Sequence, residues 1–453
     1  MFVGSTGDKG KFNLVFILSE FVRCSDFCCS APLSVRLGRP FRRIRRNALS
    51  YIQRSMRIAF STGRPAHAVL PANLLAQRGA QVTIFTAAYR ARFPQLAASV
   101  GLRWVPQFVP SLHFLTGVQL ARPWQRADTV FYDHLVAVRI ATTRDRFDIF
   151  WAWASGALAS GRAVRRRGAR FVLDRACPHV DAQQALIQME CDRLGVPYQP
   201  EPPWFRARQL AEYDEADIIL VPSTYSHGSF PPELQSKTLV APLFGRVPLQ
   251  HVIHTSNMAP VSASNTRSER QRPFTFGTVG GQPLRKGFLY LLQAWKQLQL
   301  PNARLLLRTD APLDRSPVLR DLLRQLPNVE IVRYVENMSD FYRRCDAFVF
   351  PTIDDGFGMA LLEAMAHELP AIATTHCGAA ELFTPGQDLI VVPAQDAEPL
   401  ASAMQHLYSS DEMRERLRAN ALRSLRQIEG NGTYRLYSKT LDQILAGCRS
   451  ATL

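Results

Sequence analysis

From residue 56 onward, short apolar runs alternate with stretches of helical period. Met56-Arg57-Ile58-Ala59-Phe60-Ser61-Thr62-Gly63 reads as a first buried strand running into a glycine-containing loop. Apolar positions then recur at helical spacing from Ala66 to Arg78, where Gly79 stops them, and Gln81 to Phe85 follows as a β-rich strand. The same alternation continues through the strand Phe147 to Trp151, the helix Ala154 to Arg167 ended by Gly168, and the strand Phe171 to Leu173. The helix Trp204 to Glu215 leads into Ile218-Ile219-Leu220-Val221, which Pro222-Ser223 closes. Strands separated by helices in this way predict βαβ units and a parallel sheet.

A polar stretch, His254 to Gln271, interrupts the pattern, and a second series begins behind it. It opens with the strand Phe274 to Gly280, continues through the helix Phe288 to Gln299 and the strand Arg304 to Leu307, and repeats at Val329 to Val332, Ala347 to Phe350 and Ala371 to Thr374. The predicted class is α/β, with two Rossmann-like parallel-sheet domains facing across a cleft between their strand C-termini. The expected boundaries are an N-terminal extension over 1–55, a first domain over 56–250, a connection over 251–271, a second domain over 272–430 and a terminal helix over 431–453. The 453 residues and 47% apolar content are sufficient for two cores.

Charge separates the leader from the rest. Residues 1–55 carry ten Lys or Arg against three acids, clustered at Arg39, Arg42, Arg43, Arg45 and Arg46. Two readings stay open for it: a basic arm for an anionic membrane face, or an extension produced by a start assigned too early, with Met56 as the physical beginning. The net charge of +16 attracts polyanions without choosing among them. No zinc-finger spacing, RNA-binding aromatic motif or helix-turn-helix accompanies it, so specific nucleic-acid recognition is not expected. The longest apolar run near the start, Phe12 to Leu18, is closed by Ser19 and Glu20 and is too short to span a bilayer. Eight scattered cysteines (Cys24, Cys28, Cys29, Cys177, Cys191, Cys345, Cys377 and Cys448) lack metal-ligand or disulfide spacing and read as reduced thiols. The expected location is cytoplasmic, with peripheral contact at the inner membrane face kept open, and no metal site is expected.

Candidate chemistry concentrates in the second half. Gly280-Gly281-Gln282-Pro283-Leu284-Arg285-Lys286-Gly287 follows a strand and brings two adjacent cations to the start of a helix, where a diphosphate meets positive charge and backbone amides together. Lys286 stands out because only six basic residues of the chain are lysine. A second post-strand loop, Pro351-Thr352-Ile353-Asp354-Asp355-Gly356-Phe357-Gly358, enters a helix at Met359 and Ala360, and Glu363 lies in that helix between Leu362 and Ala364. Gly356 and Gly358 allow close approach to a ligand. An acid on that apolar face either faces solvent or is held by a partner or by ligand hydroxyls.

These segments resemble the family-4 retaining glycosyltransferases of GT-B architecture. The interval from Asp355 to Glu363 is similar to that family's acid-x7-Glu pattern, with Gly-Phe-Gly inside it and Glu-Ala-Met-Ala and Leu-Pro-Ala-Ile behind it. Asp346 to Pro351 resembles the lead-in strand, and Thr375 to Leu382 the loop after the next one. The likeness is strongest over 274–393 and extends more weakly over 56–250.

The resemblance implies a sugar transfer from a nucleotide-diphosphate donor, UDP- or GDP-linked, to a glycan, lipid-linked or small-molecule acceptor, with no cofactor beyond that substrate. Lys286 would bind the donor diphosphate, Glu363 the ribose, and Asp355 would lie near the sugar hydroxyls. Gly280 and Gly281 stand where the family has an early arginine, which makes Arg285 its substitute. The first half would bring Gly63 and Arg64 to the cleft, and His179, beyond the strand 171–173, would contact the sugar. Two other readings remain: a nucleotide-sugar epimerase of the same architecture, and a noncatalytic binding or assembly protein.

Overall fold

The computed structural model describes residues 56–63, 68–88, 90–92, 95–107, 122–243, 272–326, 328–428 and 433–446. The leader, Arg64 and the polar stretch 254–271 lie outside the described residues. Among the described residues thirteen strands fall into two sheets, and every pairing between them is parallel.

The first sheet uses β1 (Arg57–Ser61), β2 (Gln81–Thr86), β3 (Gly101–Trp104), β4 (Ile149–Trp153), β5 (Arg170–Asp174), β6 (Ile218–Val221) and β7 (Thr238–Val240). Their spatial order is β3-β2-β1-β4-β5-β6-β7. The second uses β8 (Phe274–Val279), β9 (Ala303–Arg308), β10 (Val329–Val332), β11 (Ala347–Phe350), β12 (Ala371–Thr374) and β13 (Ile390–Val392), in the order β10-β9-β8-β11-β12-β13. Both sheets are therefore doubly wound. The chain leaves the central strand in one direction and returns to continue in the other, which opens a crevice beyond the strand C-termini at β1/β4 and again at β8/β11.

Burial on both faces accounts for the continuous apolar strands. Side chains alternate along a strand, so Ile58, Phe60, Ile84, Ile149, Trp151 and Val172 enter one core while Ala59, Phe85, Phe150, Ala152, Phe171 and Leu173 enter the other. The second sheet divides likewise, with Phe276, Leu305, Leu307 and Val349 on one side and Leu306, Phe348, Phe350 and Ala373 on the other.

The helix Thr433–Ala446 packs on the first sheet although it follows the second in sequence. Tyr437, Leu441 and Ile444 join the core of Ile58, Phe60 and Trp151. The Tyr437 ring stacks on Trp151 with centroids 6.4 Å apart, Asp442 pairs with Arg78 at 3.2 Å, and Thr440 donates to the Val240 carbonyl at 3.2 Å.

The sequence-predicted elements shift in places. The strand expected over 147–151 lies at Ile149–Trp153, and the helix expected from Ala154 begins only at Leu158. The delay has a local cause. The amides of Ser155 and Ala157 donate to the buried carboxylate of Glu212, at 2.6 and 2.9 Å, and Ser155 takes φ of +78°. Residues 154–157 thus form a turn fastened from outside, and the helical ladder starts behind it. Strands β3, β7 and β13 and the helices Arg122–Thr142, Val180–Arg193, Ala397–Ser409 and Asp411–Gln427 come in addition to the elements read from the pattern.

Candidate functional site

The loops after β8 and β11 meet at the crevice of the second sheet, where the expected donor residues converge. The first runs from Gly280 to Gly287 and is cross-linked to the second. The Arg285 carbonyl accepts from the Ile353 amide at 3.0 Å and from Thr352 Oγ1 at 3.1 Å. Arg285 returns the contact, with Nη1 on the Asp354 carbonyl at 2.5 Å, while its Nε rests on Gln282 Oε1 at 2.6 Å.

Two glycines permit close packing around these loops, the first at the joint itself and the second against Cys377 and Phe350. Gly287 takes φ of +70°, and a β-carbon there would stand 2.7 Å from the carbonyl carbon of Pro351. Gly358 takes φ of +97° at the start of the helix Met359–Ala366, with Cys377 Sγ against it. Both conformations lie in the left-handed region that favours glycine.

Lys286 forms an ion pair with Asp355, so the cation and the acid that the sequence singled out are in direct contact. Its ammonium also lies 5.1 Å from the centre of the Phe350 ring. The other oxygen of Asp355 accepts from the Phe357 amide at 3.2 Å, which fixes the carboxylate. Glu363 is half-buried, and of the two readings left open for it the partnered one holds: Tyr342 donates its hydroxyl to Oε2 at 2.9 Å. Burial pushes the Glu363 carboxyl up, and the Tyr342 hydroxyl opposes that shift. Met359 and Ala360 begin the same helix, partly buried.

The C-terminal ends of the two sheets touch. Gly356 packs so tightly that a β-carbon would stand 2.7 Å from the Ala176 carbonyl oxygen and 2.9 Å from Cys177 Cα, both in the loop after β5. Its carbonyl accepts from Ser223 Oγ at 2.7 Å and Ser226 Oγ at 3.2 Å. Glu381 takes the amides of Thr224 and Tyr225, at 2.8 and 2.6 Å, and the Tyr225 ring stacks on His376. A second cluster joins Glu190 of the first half to Tyr290 and Gln395 of the second, at 2.5 and 2.7 Å.

In the first half, Gly63 follows β1 and lies against the Gln107 side chain. His179 is only 6% exposed. It caps the helix Val180–Arg193: Nδ1 accepts from the Asp181 amide at 3.2 Å, and the ring sits between Tyr213 and Phe230. Burial lowers its pKa, which keeps that nitrogen an acceptor. Arg175, close by, donates to Gln209 Oε1 at 2.9 Å and the Pro178 carbonyl at 3.1 Å.

Sequence reasoning missed the residues that join the halves: Gln183, Glu190, Ser223 and Tyr225. Their one legible signal is spacing, since Gln183 and Glu190 lie seven apart and share a face of the helix Val180–Arg193. Asp354 and Asp355 are neighbours in the chain, but the two point to different partners. Asp354 is 0% exposed and turned toward Gln183 and Tyr225.

Comparison with known proteins places this geometry. Residues 273–410 match the family model of the glycosyl transferases group 1. The capsular polysaccharide biosynthesis glycosyltransferase CapM of Staphylococcus aureus is 33% identical over 178 residues, which is 38% of this chain and 43% of CapM. The chain spans less than half the length of the curated relatives it matches. Among solved structures, sucrose-phosphate synthase from Thermosynechococcus elongatus superposes with a TM-score of 0.59 at 17% identity, covering 87% of this chain and 100% of that one. Anabaena HepE, solved in complex with UDP and glucose, superposes with a TM-score of 0.54 at 15% identity over 86% of this chain and 100% of its own. No helix among the described residues is long and apolar enough to cross a membrane. The segment 273–410 thus carries the pattern of the glycosyl transferases group 1, and it forms the second half of a chain with the GT-B fold.

Proposed function

We propose that the chain is a retaining glycosyltransferase that moves a sugar from a nucleotide-diphosphate sugar to an acceptor hydroxyl. The observation that carries this reading is the cation pair Arg285 and Lys286, held in the glycine loop after β8 and fastened to the acidic loop after β11. The likeness to HepE, which was solved with UDP and glucose, supports a donor of this class. The likeness to CapM, a glycosyltransferase of capsular polysaccharide biosynthesis, favours a glycan acceptor.

In this reading the donor diphosphate takes the place of Asp355 as the partner of Lys286, and Arg285 flanks it. The Glu363 oxygen not bonded to Tyr342 receives the ribose hydroxyls. As the bond between the anomeric carbon and the phosphate oxygen breaks, negative charge builds on the leaving oxygen, where fixed cations stabilise it more than water does. The acceptor oxygen bonds the anomeric carbon from the same face, and its proton passes to the leaving phosphate. Asp355 and His179 are assigned to the sugar, and Gly63 and Arg64 to the opposite wall of the crevice.

Thermal stabilisation by UDP, GDP and their sugar conjugates tests donor binding, because a ligand of the folded state raises its stability. Transfer of radiolabelled sugar with release of free nucleotide separates a transferase from an epimerase. Loss of both binding and transfer in a folded Lys286→Ala protein is expected. Wild-type affinity and rate in that protein would sink the assignment. Tight binding with no transfer to any of a broad set of acceptors would favour a noncatalytic binder, a reading drawn from Gly280-Gly281 standing in place of an arginine.

A further inference from the structure

We infer that Asp354 is a positioning residue: by holding donors from the first half, it leaves the Arg285 guanidinium available to the site. The inference rests on the proposed reading of Arg285 as a diphosphate ligand. Its geometric basis is independent of that reading. Asp354 Oδ1 accepts from the Tyr225 hydroxyl at 2.9 Å, and Oδ2 from Gln183 Nε2 at 2.5 Å. Both donors come from the first half, and the carboxylate itself is buried.

Arg285 belongs to the same half as Asp354 and behaves differently toward it. Its Nη1 rests on the Asp354 main-chain carbonyl, and the carboxylate oxygen Oδ2 lies farther off, at 3.6 Å. The guanidinium is therefore near Asp354 without being claimed by its side chain in a forked pair. A buried carboxylate stripped of its partners is costly. With Tyr225 and Gln183 withdrawn, the cation within ion-pair distance of it among the described residues is Arg285, since Arg175, which also feels the Asp354 charge, is engaged by Gln209 and the Pro178 carbonyl; a carboxylate and a guanidinium pair best through two parallel hydrogen bonds. Such a pair draws the guanidinium onto Asp354 and away from a diphosphate.

Tyr225 is suited to the task. Burial, and then the charge of Asp354, raise its pKa, so the hydroxyl stays protonated and remains a donor. Its backbone amide is held by Glu381 and its ring by His376, so the hydroxyl reaches Asp354 only while the two halves are together. Contact between the halves is thereby converted into the orientation of one arginine.

The test uses the full chain carrying Tyr225→Phe and Gln183→Leu, singly and together, with folding checked by far-UV circular dichroism. Tyr225→Phe alone keeps the ring on His376 and serves if the pair fails to fold. Two readouts are taken: the rate of phenylglyoxal modification at Arg285, mapped by mass spectrometry, and calorimetric affinity for UDP and GDP. The double substitution is expected to slow modification of Arg285 and to weaken nucleotide binding about tenfold, the scale of one charge-assisted hydrogen bond. Adding Asp354→Asn, which removes the competing charge, is expected to restore both. Unchanged reactivity of Arg285 in the double variant, or a further loss on adding Asp354→Asn, would overturn the inference. A protein that binds neither UDP nor GDP but shows the Arg285 pattern would refute the proposed function and leave the role of Asp354 standing.

Discussion

Replacing Gly287 with alanine probes the joint between the two donor loops. The cost follows from two features of the position. At φ of +70° an alanine sits in the left-handed region, at about 1 kcal/mol. Its β-carbon would collide with the Pro351 carbonyl oxygen, its nearest neighbour, so the loops must separate by roughly 1.5 Å before the two atoms reach van der Waals contact. Such a separation strains the bonds from the Ile353 amide and Thr352 Oγ1 to the Arg285 carbonyl, now 3.0 and 3.1 Å. Losing both costs about 2 kcal/mol. The expected total is about 3 kcal/mol, a large share of the ~5–15 kcal/mol that ordinarily holds a folded protein. Gly281→Ala is the internal control, because nothing lies within 4 Å of its would-be β-carbon and its φ is not left-handed. It is expected to be neutral or up to about 1 kcal/mol stabilising. Urea unfolding followed by circular dichroism measures both. A Gly287→Ala protein whose midpoint equals that of Gly281→Ala would refute the reasoning.

Other outcomes follow from the site and its supports. Glu363→Gln is expected to fold, because its amide oxygen still accepts from Tyr342, and to raise the donor KM about tenfold through the lost charge-assisted contact to ribose; a lowered melting temperature with unchanged KM would make the acid structural. His179→Asn keeps a side chain able to cap the helix Val180–Arg193, whereas His179→Ala loses about 1 kcal/mol, so a fall in turnover in the stable Asn variant would mark a contact with the sugar and unchanged turnover a purely capping role. Burial raises the Glu212 carboxyl from 4.5 to about 7. Between those values the folded state holds a proton that the unfolded state has released, so stability falls as pH rises through the window, by up to about 3 kcal/mol. Urea midpoints at pH 5 and 7.5 check this, and the same slope in Glu212→Gln would disprove it. Tyr437→Ala is expected to cost roughly 3–4 kcal/mol by opening the core against Trp151.

What was legible in the sequence was what two-sided burial writes into it. Strands such as Ile218–Val221 and Ala347–Phe350 are apolar on both faces, and their bounds came out as read. The strand Gly101–Trp104 at the sheet's edge carries Arg103 and an exposed Trp104 and leaves no such run. The helix Arg122–Thr142 was hidden for a related reason: Trp124, Phe131 and Val138 are exposed on the face opposite its buried residues, so the apolar pattern does not reduce to one stripe. At the site, Lys286, Asp355 and Glu363 could be read because they belong to loops whose glycines and charges are contiguous. Gln183 and Tyr225 could not, because they act on Asp354 from 171 and 129 residues away, and no local property of a glutamine or a tyrosine announces such a partner. His179 is marked in the sequence only by its place after β5, and its neighbours Tyr213 and Phe230, which fill the space around the ring, come from elsewhere in the chain.

The terminal helix on the first sheet has a consequence for how the protein is made. The face of that sheet carrying Ile58, Phe60 and Trp151 is covered by Tyr437, Leu441 and Ile444. Strand β7 ends at Val240, so about 200 further residues must leave the ribosome before the helix Thr433–Ala446 arrives. At translation rates of ~5–20 residues per second, that interval is roughly 10–40 s. During it the nascent first half exposes an apolar face that the finished protein hides, which makes it a ready client for a chaperone and a poor candidate for expression without its own last helix.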